Sequence, residues 1–263
     1  MKNPLFFLSR CAGALWVMAV YAFLYIPIVV FFVFSFNNAP FPARWAGFTL
    51  NWYRALLSES YIWTVFGNSL LVATTAVLLS SVMGVLLVFY AVHRGGKMLT
   101  LVTSFYSNVM VPEIVLAVGL LGFFTMMAVP LGFVTLVIAH TVLGLGYVVP
   151  IVYSRYTELD YRLTEAAQDL GATPLQAFFS VTIPLLRPAL MGSAILVFML
   201  SFDDFVFAYF CTGTTFQTLP LYILSMLRVG VSPIVNALST VLLLLSGLLV
   251  VIYSSFKVRE GIF

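Results

Sequence analysis

Charge is what this 263-residue chain has least of: Asp, Glu, Lys and Arg make up 8% of it, against 62% hydrophobic residues and a mean hydropathy of +1.10. A soluble domain of that composition would lack the polar surface to cover its core, which leaves a polytopic membrane protein as the class. Cysteine is nearly absent as well. Cys11 and Cys211 lie far apart in apolar segments, which excludes a disulfide framework and a metal-ligand spacing. No GxxxxGK[ST] loop occurs, since Gly95-Gly96-Lys97 lacks both the upstream glycine and a following Ser or Thr. If ATP is used, another chain binds it. A net charge of +3 spread over loops gives no footprint for nucleic acid, and no internal repeat or low-complexity segment interrupts the chain.

What is present is a series of apolar runs long enough to cross a bilayer, at roughly 20 residues each. They fall near residues 11–35, 62–91, 98–127, 131–153, 188–211 and 237–256. The expected fold is an all-α polytopic membrane protein, one domain over 1–263 with six transmembrane helices. Both termini then lie on one side. The first run is longer than a signal-peptide core and reads as an uncleaved membrane helix. Lys2, Arg10, Arg94, Lys97, Arg155, Arg162, Arg187, Lys257 and Arg259 fall on the terminus side, against Arg44, Arg54 and Arg228 opposite. The positive-inside rule makes the terminus side cytoplasmic.

Loops carry their own signals. Residues 37–60 hold Pro40, Pro42, Trp45 and Trp52, a turn-rich segment with aromatics suited to the outer interface. His93 to Lys97 reads as a tight hairpin, and 212–236 as an outer segment with a short apolar helix around Leu219 to Leu227. Pro112 inside the third run predicts a kinked, cavity-lining helix.

One polar island interrupts this pattern, the loop over 155–187. Tyr156, Leu159, Leu163, Ala166 or Ala167, and Leu170 recur at three and four, which predicts one helix with a narrow apolar stripe ending at Gly171. Thr173-Pro174-Leu175-Gln176 then reads as a capping box opening a second short helix, which Pro184 and Pro188 stop. The island suits a docking knob for a cytoplasmic protein. Lying on the lipid surface is the alternative, but such helices favour Lys and Arg, and here Glu158, Asp160, Glu165 and Asp169 outnumber Arg155 and Arg162.

The run Glu165-Ala166-Ala167, then Gly171, then Ile183-Pro184 and Arg187-Pro188 resembles the EAA loop of bacterial ABC importer permeases. Ser201-Phe-Asp-Asp-Phe205, Pro112-Glu113, Tyr25-Ile-Pro-Ile28, and the 229–233 run followed by Asn236-Ala-Leu are similar to the branch that serves spermidine and putrescine. The resemblance implies a type I importer (MetI-like) permease fold, with Glu165, Ala166, Ala167, Asp169 and Gly171 coupling to an ATPase. It also implies partners: a second related permease, two cytoplasmic ATPase subunits holding ATP and Mg, an extracytoplasmic solute-binding protein, and membrane lipid. No catalytic residue and no metal or cofactor in this chain are expected.

Three acids fall at membrane depth, where ionisable groups suggest a pathway. From Met98 to Glu113 and from Pro188 to Asp203 are fifteen residues each, which places both acids about 22 Å along their helices. Asp204 lies beside Asp203, about 100° round a helix, and Phe207 four residues on offers the Asp203 face a cation-π surface. No basic residue falls at comparable depth, so an ion pair within the chain is not expected to neutralise them. Glu113, Asp203, Asp204 and Phe207 are therefore the candidate substrate path, for ammonium groups if the resemblance holds. His140 reads as satisfied by a neighbouring carbonyl or hydroxyl. A permease for another small solute remains open, as does a cation-coupled secondary transporter using Asp203, Asp204 and His140, though that would leave the knob unexplained.

Overall fold

The computed structural model describes the backbone at residues 4–39, 44–230 and 233–259, and side chains within 13–228 and 230–248 of these. Pro40, Pro42, Val231 and Ser232 lie outside the described residues, as do the side chains of Lys2, Arg10, Cys11, Lys257 and Arg259. Among the described residues the chain is helical with no strand beyond an isolated bridge, Asn37 to Phe48. It divides into two compact units, 1–62 with 223–263, and 63–222.

The first unit contains α1 (Pro4–Phe34), α2 (Asn51–Ser58) and α12 (Pro233–Arg259). No residue of the apolar Gly13–Phe34 stretch is buried, so its surface is one that only lipid or another protein would cover. The loop before α2 is pinned by Asn37, whose Oδ1 accepts the Ala46 N–H (2.7 Å) and whose carbonyl accepts the Trp52 indole N–H (2.8 Å).

The second unit is built from α3 (Ser60–Arg94), α4 (Gly96–Asn108), α5 (Glu113–Met126), α6 (Phe133–Thr157), α7 (Arg162–Asp169), α8 (Pro174–Ala177), a π-helical turn (Phe178–Thr182), α9 (Ile183–Asp203) and α10 (Val206–Cys211). The short apolar α11 (Leu219–Val229) follows, as the outer segment predicts. α6 is the central helix and packs most extensively on α9. Glycines bring the backbones together: at Gly144 a Cβ would lie 2.7 Å from Ser80 Oγ and 2.9 Å from Val197 Cγ1, and at Gly84 2.7 Å from Val148 Cγ1. Without a strong hydrophobic force between helices in lipid, such small-residue contacts supply the packing.

Four helical stretches are long and apolar enough to cross a membrane, and α4 with α5 makes a fifth if that bent pair is one span. The sixth run lies in α12, whose described apolar part, Pro233–Leu248, is shorter than a span.

The structure corrects four expectations here. The third run is no single kinked helix: α4 and α5 meet at 119°. Pro112 has no N–H to donate, and its ring keeps Val111 out of the helical region, so α4 ends in the turn bonds Met110 N–H to Ser107 O and Val111 N–H to Asn108 O. Depth counted from Met98 through Glu113 loses its basis. The fifth run breaks as well, because α9 ends at Asp203 and α10 restarts at Val206. In the knob, Tyr156 belongs to α6 and Leu163 to α7, so the predicted stripe is shared by two helices. Nor do Pro184 and Pro188 stop the helix after Thr173. Pro184 follows the π-helical turn directly, and the chain stays helical over Pro174–Asp203.

Candidate functional site

Asp203 and Asp204 occupy the break between α9 and α10, and the break separates their roles. Asp203 is the last residue of α9, and its side chain is exposed. Asp204 has extended backbone (φ −71°, ψ 127°) and turns inward, 8% exposed. Its Oδ1 accepts the Val206 N–H (3.2 Å) and its Oδ2 the Ala208 N–H (3.1 Å). That satisfies donors at the start of α10 that no intrahelical carbonyl can reach.

The same carboxylate faces His140 of α6. Asp204 Oδ2 lies 3.4 Å from His140 Nε2, a close contact whose angle falls outside hydrogen-bond geometry, while His140 Nδ1 and Ser201 Oγ are hydrogen-bonded at 2.5 Å. His140 and Ser201 are 1% and 4% exposed. The expected hydroxyl partner of His140 is therefore Ser201. A base at the depth of the acids was missed, because the partners stand 61 and 64 positions apart in sequence.

Phe207 does not share a face with Asp203. Helix periodicity does not carry across the break, and the Phe207 ring is fully buried with its centroid 5.9 Å from that of His140. It packs in the cluster with Ala117, Phe124, Leu136 and Cys211, so no cation reaches it from outside.

Glu113 opens α5 immediately after the other break and is exposed. With Asn108, Pro112, Leu143, Gly146 and Tyr147 it lines a cavity of about 260 Å³. Gly146 keeps that wall flat, since a Cβ there would meet the Asn108 amide nitrogen at 2.5 Å. Water takes about 30 Å³ per molecule in the liquid, so the cavity admits several waters or one ammonium end of a chain. Among the described residues neither Glu113 nor Asp203 has a basic partner.

The knob over 155–187 forms a second cluster. α7 buries none of its residues, and Glu165, Ala166 and Asp169 are exposed while Ala167 is half-buried. Gly171 closes it at φ +95°, with Gly171 N–H to Gln168 O (2.8 Å) and Ala172 N–H to Ala167 O (3.0 Å), the paired bonds of a Schellman motif. The predicted capping box follows. Thr173 Oγ1 accepts the Gln176 N–H (3.3 Å) and Gln176 Oε1 accepts the Thr173 N–H (2.8 Å). Phe178 is buried and anchors the knob, its ring 4.6 Å from that of Phe89 on α3. Leu163, Leu170, Leu175 and Phe179 are exposed around it, Leu170 at 91%. An apolar patch on an otherwise polar knob is the kind of surface that another protein or a membrane covers.

The chain has relatives among transport proteins. The family described as "Binding-protein-dependent transport system inner membrane component" matches residues 80–259. The spermidine/putrescine transport system permease protein PotC of Escherichia coli (strain K12) is 41% identical over 246 residues, covering 92% of each chain. The putrescine transport system permease protein PotI of the same strain is 35% identical over 233 residues, 85% of this chain and 82% of that one. Among solved structures, a chain of a bacterial ABC transporter involved in the import of the acidic polysaccharide alginate superposes with a TM-score of 0.74 over 100% of this chain and 99% of that one, at 14% identity. One from the MetNI methionine ABC transporter gives 0.59 over 78% and 100%, at 19% identity. At such identities the two structures speak for the fold alone.

Proposed function

This chain belongs to the binding-protein-dependent transport inner membrane component family, and on that premise we propose that it is the permease subunit of an ABC importer for polyamines of the spermidine/putrescine class. The observation that carries the substrate class is the pair of exposed carboxylates, Asp203 and Glu113, each at a break in an apolar helix and neither with a cation beside it among the described residues. Relatives whose names specify spermidine and putrescine support it. A linear polyammonium chain supplies the cations those carboxylates lack. Asp203 and Glu113 receive the ammonium groups, while Asp204 and Phe207 hold the wall behind them.

The knob seats an ATPase subunit. Glu165, Ala166, Asp169 and the exposed leucines form the contact, Ala167 and Gly171 shape it, and the partner holds ATP and Mg. A second related permease contributes the other half of the path, a second ATPase completes the pair, and an extracytoplasmic solute-binding protein delivers substrate. Both termini and the knob face the cytoplasm. A hydrogen bond to a charged group contributes about 1.5–3 kcal/mol. In the assembled importer in vesicles, Asp203→Asn or Glu113→Gln therefore lowers spermidine uptake roughly ten- to a hundredfold, with assembly and basal ATP hydrolysis retained. Unchanged uptake in both variants refutes the reading.

A further inference from the structure

His140 touches both sides of the break beside the exposed carboxylate. Its Nδ1 is bonded to Ser201 in the last turn of α9, and its Nε2 faces Asp204 Oδ2, which in turn accepts the N–H of Ala208 in α10. Three side chains, each more than nine-tenths buried, thus form one chain from α9 through α6 to α10. Asp203 lies between the two attachment points and points the other way. A break in a helix leaves its two ends free to swing unless something fixes them, and backbone hydrogen bonds across this one are missing at Asp204. The imidazole is also held from the side by the Phe207 ring.

We infer that His140 is a positioning residue, a staple across the α9–α10 break that fixes the direction in which Asp203 meets an ammonium group. The inference rests on the assignment of Asp203 to the substrate path. His140 touches no substrate. It acts through Ser201 and Asp204, so its removal lets the end of α9 reorient and misplaces the carboxylate. A displacement of about 1 Å in a positioned group is enough to cost orders of magnitude in rate.

The test is a double-mutant cycle in the full importer reconstituted with its binding protein, reading spermidine imported per ATP hydrolysed. A variant that merely folds less well lowers uptake and hydrolysis together and leaves that ratio intact. His140→Ala is expected to lower the ratio about tenfold on its own. In an Asp203→Asn background it adds less than about twofold, since the group it positions is already gone. In a Glu113→Gln background the full tenfold loss remains. His140→Gln, whose amide keeps a polar group facing Asp204, restores most of the ratio. If His140→Ala fails to assemble, Ser201→Ala removes one hydroxyl from the staple and runs the same cycle. Equal losses in all three backgrounds, or an unchanged ratio, overturn the inference while leaving Asp203 in place. An Asp203→Asn importer with an undiminished ratio overturns the polyamine reading of Asp203 and the staple with it.

Discussion

Adjacent phenylalanines in the knob should behave oppositely. Phe178 is 5% exposed, packed with Phe89 and, through it, Tyr156 (6.4 Å between those two rings), whereas Phe179 is 62% exposed. Removing a buried phenyl ring costs about 3–5 kcal/mol, the transfer term plus the cavity left behind. Because α7 buries nothing of its own, that loss falls on the contact that ties the knob to the bundle. Phe178→Ala is therefore expected to lower the thermal midpoint of the purified complex by on the order of 10 °C. It should also lower the spermidine imported per ATP hydrolysed, since a loose knob moves without its helix. Phe179→Ala gives up little intramolecular burial, about 1 kcal/mol or less. It should leave the midpoint of the isolated permease in place and instead weaken retention of the ATPase on co-purification. Phe178→Leu keeps most of the volume and should fall between. Equal midpoints for Phe178→Ala and Phe179→Ala would refute the anchoring argument, and full ATPase retention by Phe179→Ala would refute the assignment of the exposed patch.

Two further substitutions probe the backbone. Gly144→Ala places a methyl within 2.9 Å of both Ser80 and Val197, so it should destabilise by about 1–3 kcal/mol, with Ser80→Gly restoring part of the loss in thermal unfolding of the purified chain. Gly171 has open space around it, so Gly171→Ala meets no clash and is limited by its φ of +95° alone, a cost of about 1–2 kcal/mol that pull-down of the ATPase should register; Asn at that position is expected to be milder.

Local chemistry was legible in the sequence. Gly171 as a left-handed closing residue and Thr173 with Gln176 as a capping box are decided within a few residues, and both stand in the structure as read. The apolar runs near 11–35, 62–91 and 131–153 stand as long helices, because length and composition settle them. The breaks were not legible. Pro112 announces a disturbed helix, but whether the chain kinks or turns by 119° depends on what packs against it, here Asn108 on Gly146 of α6. At Asp204 a signal did exist: an Asp two residues before an apolar stretch can cap a helix, yet uninterrupted hydrophobicity around it argues for continuity. The pairing of His140 with Ser201 and Asp204 is nonlocal, and residue spacing carries nothing about it.

The breaks change what the proposed coupling can transmit. From Pro174 to Asp203 the chain is helical over 30 residues, which at about 1.5 Å each is a rod of roughly 45 Å with the knob at one end and the carboxylate at the other. A rod of that kind delivers tilt and rotation and resists stretching, so a displacement of the knob arrives at Asp203 as a change in direction. Its soft points are the π-helical turn at Phe178–Thr182, Pro184 and Pro188, all toward the knob, which leaves the segment carrying Asp203 stiff. Beyond Asp203 the rod ends, and α10 is tied to α6 through Asp204 and His140 rather than to α9 by backbone bonds. Rotation of α9 against α6, its most extensive partner, therefore bears on the Ser201 to His140 contact as well as on the close approach of Val197 to Gly144. Ser201 lies two residues from the carboxylate proposed to hold the substrate. A movement begun at the knob would thus redirect Asp203, and it would reach the packed cluster around Phe207 through Leu200 of α9.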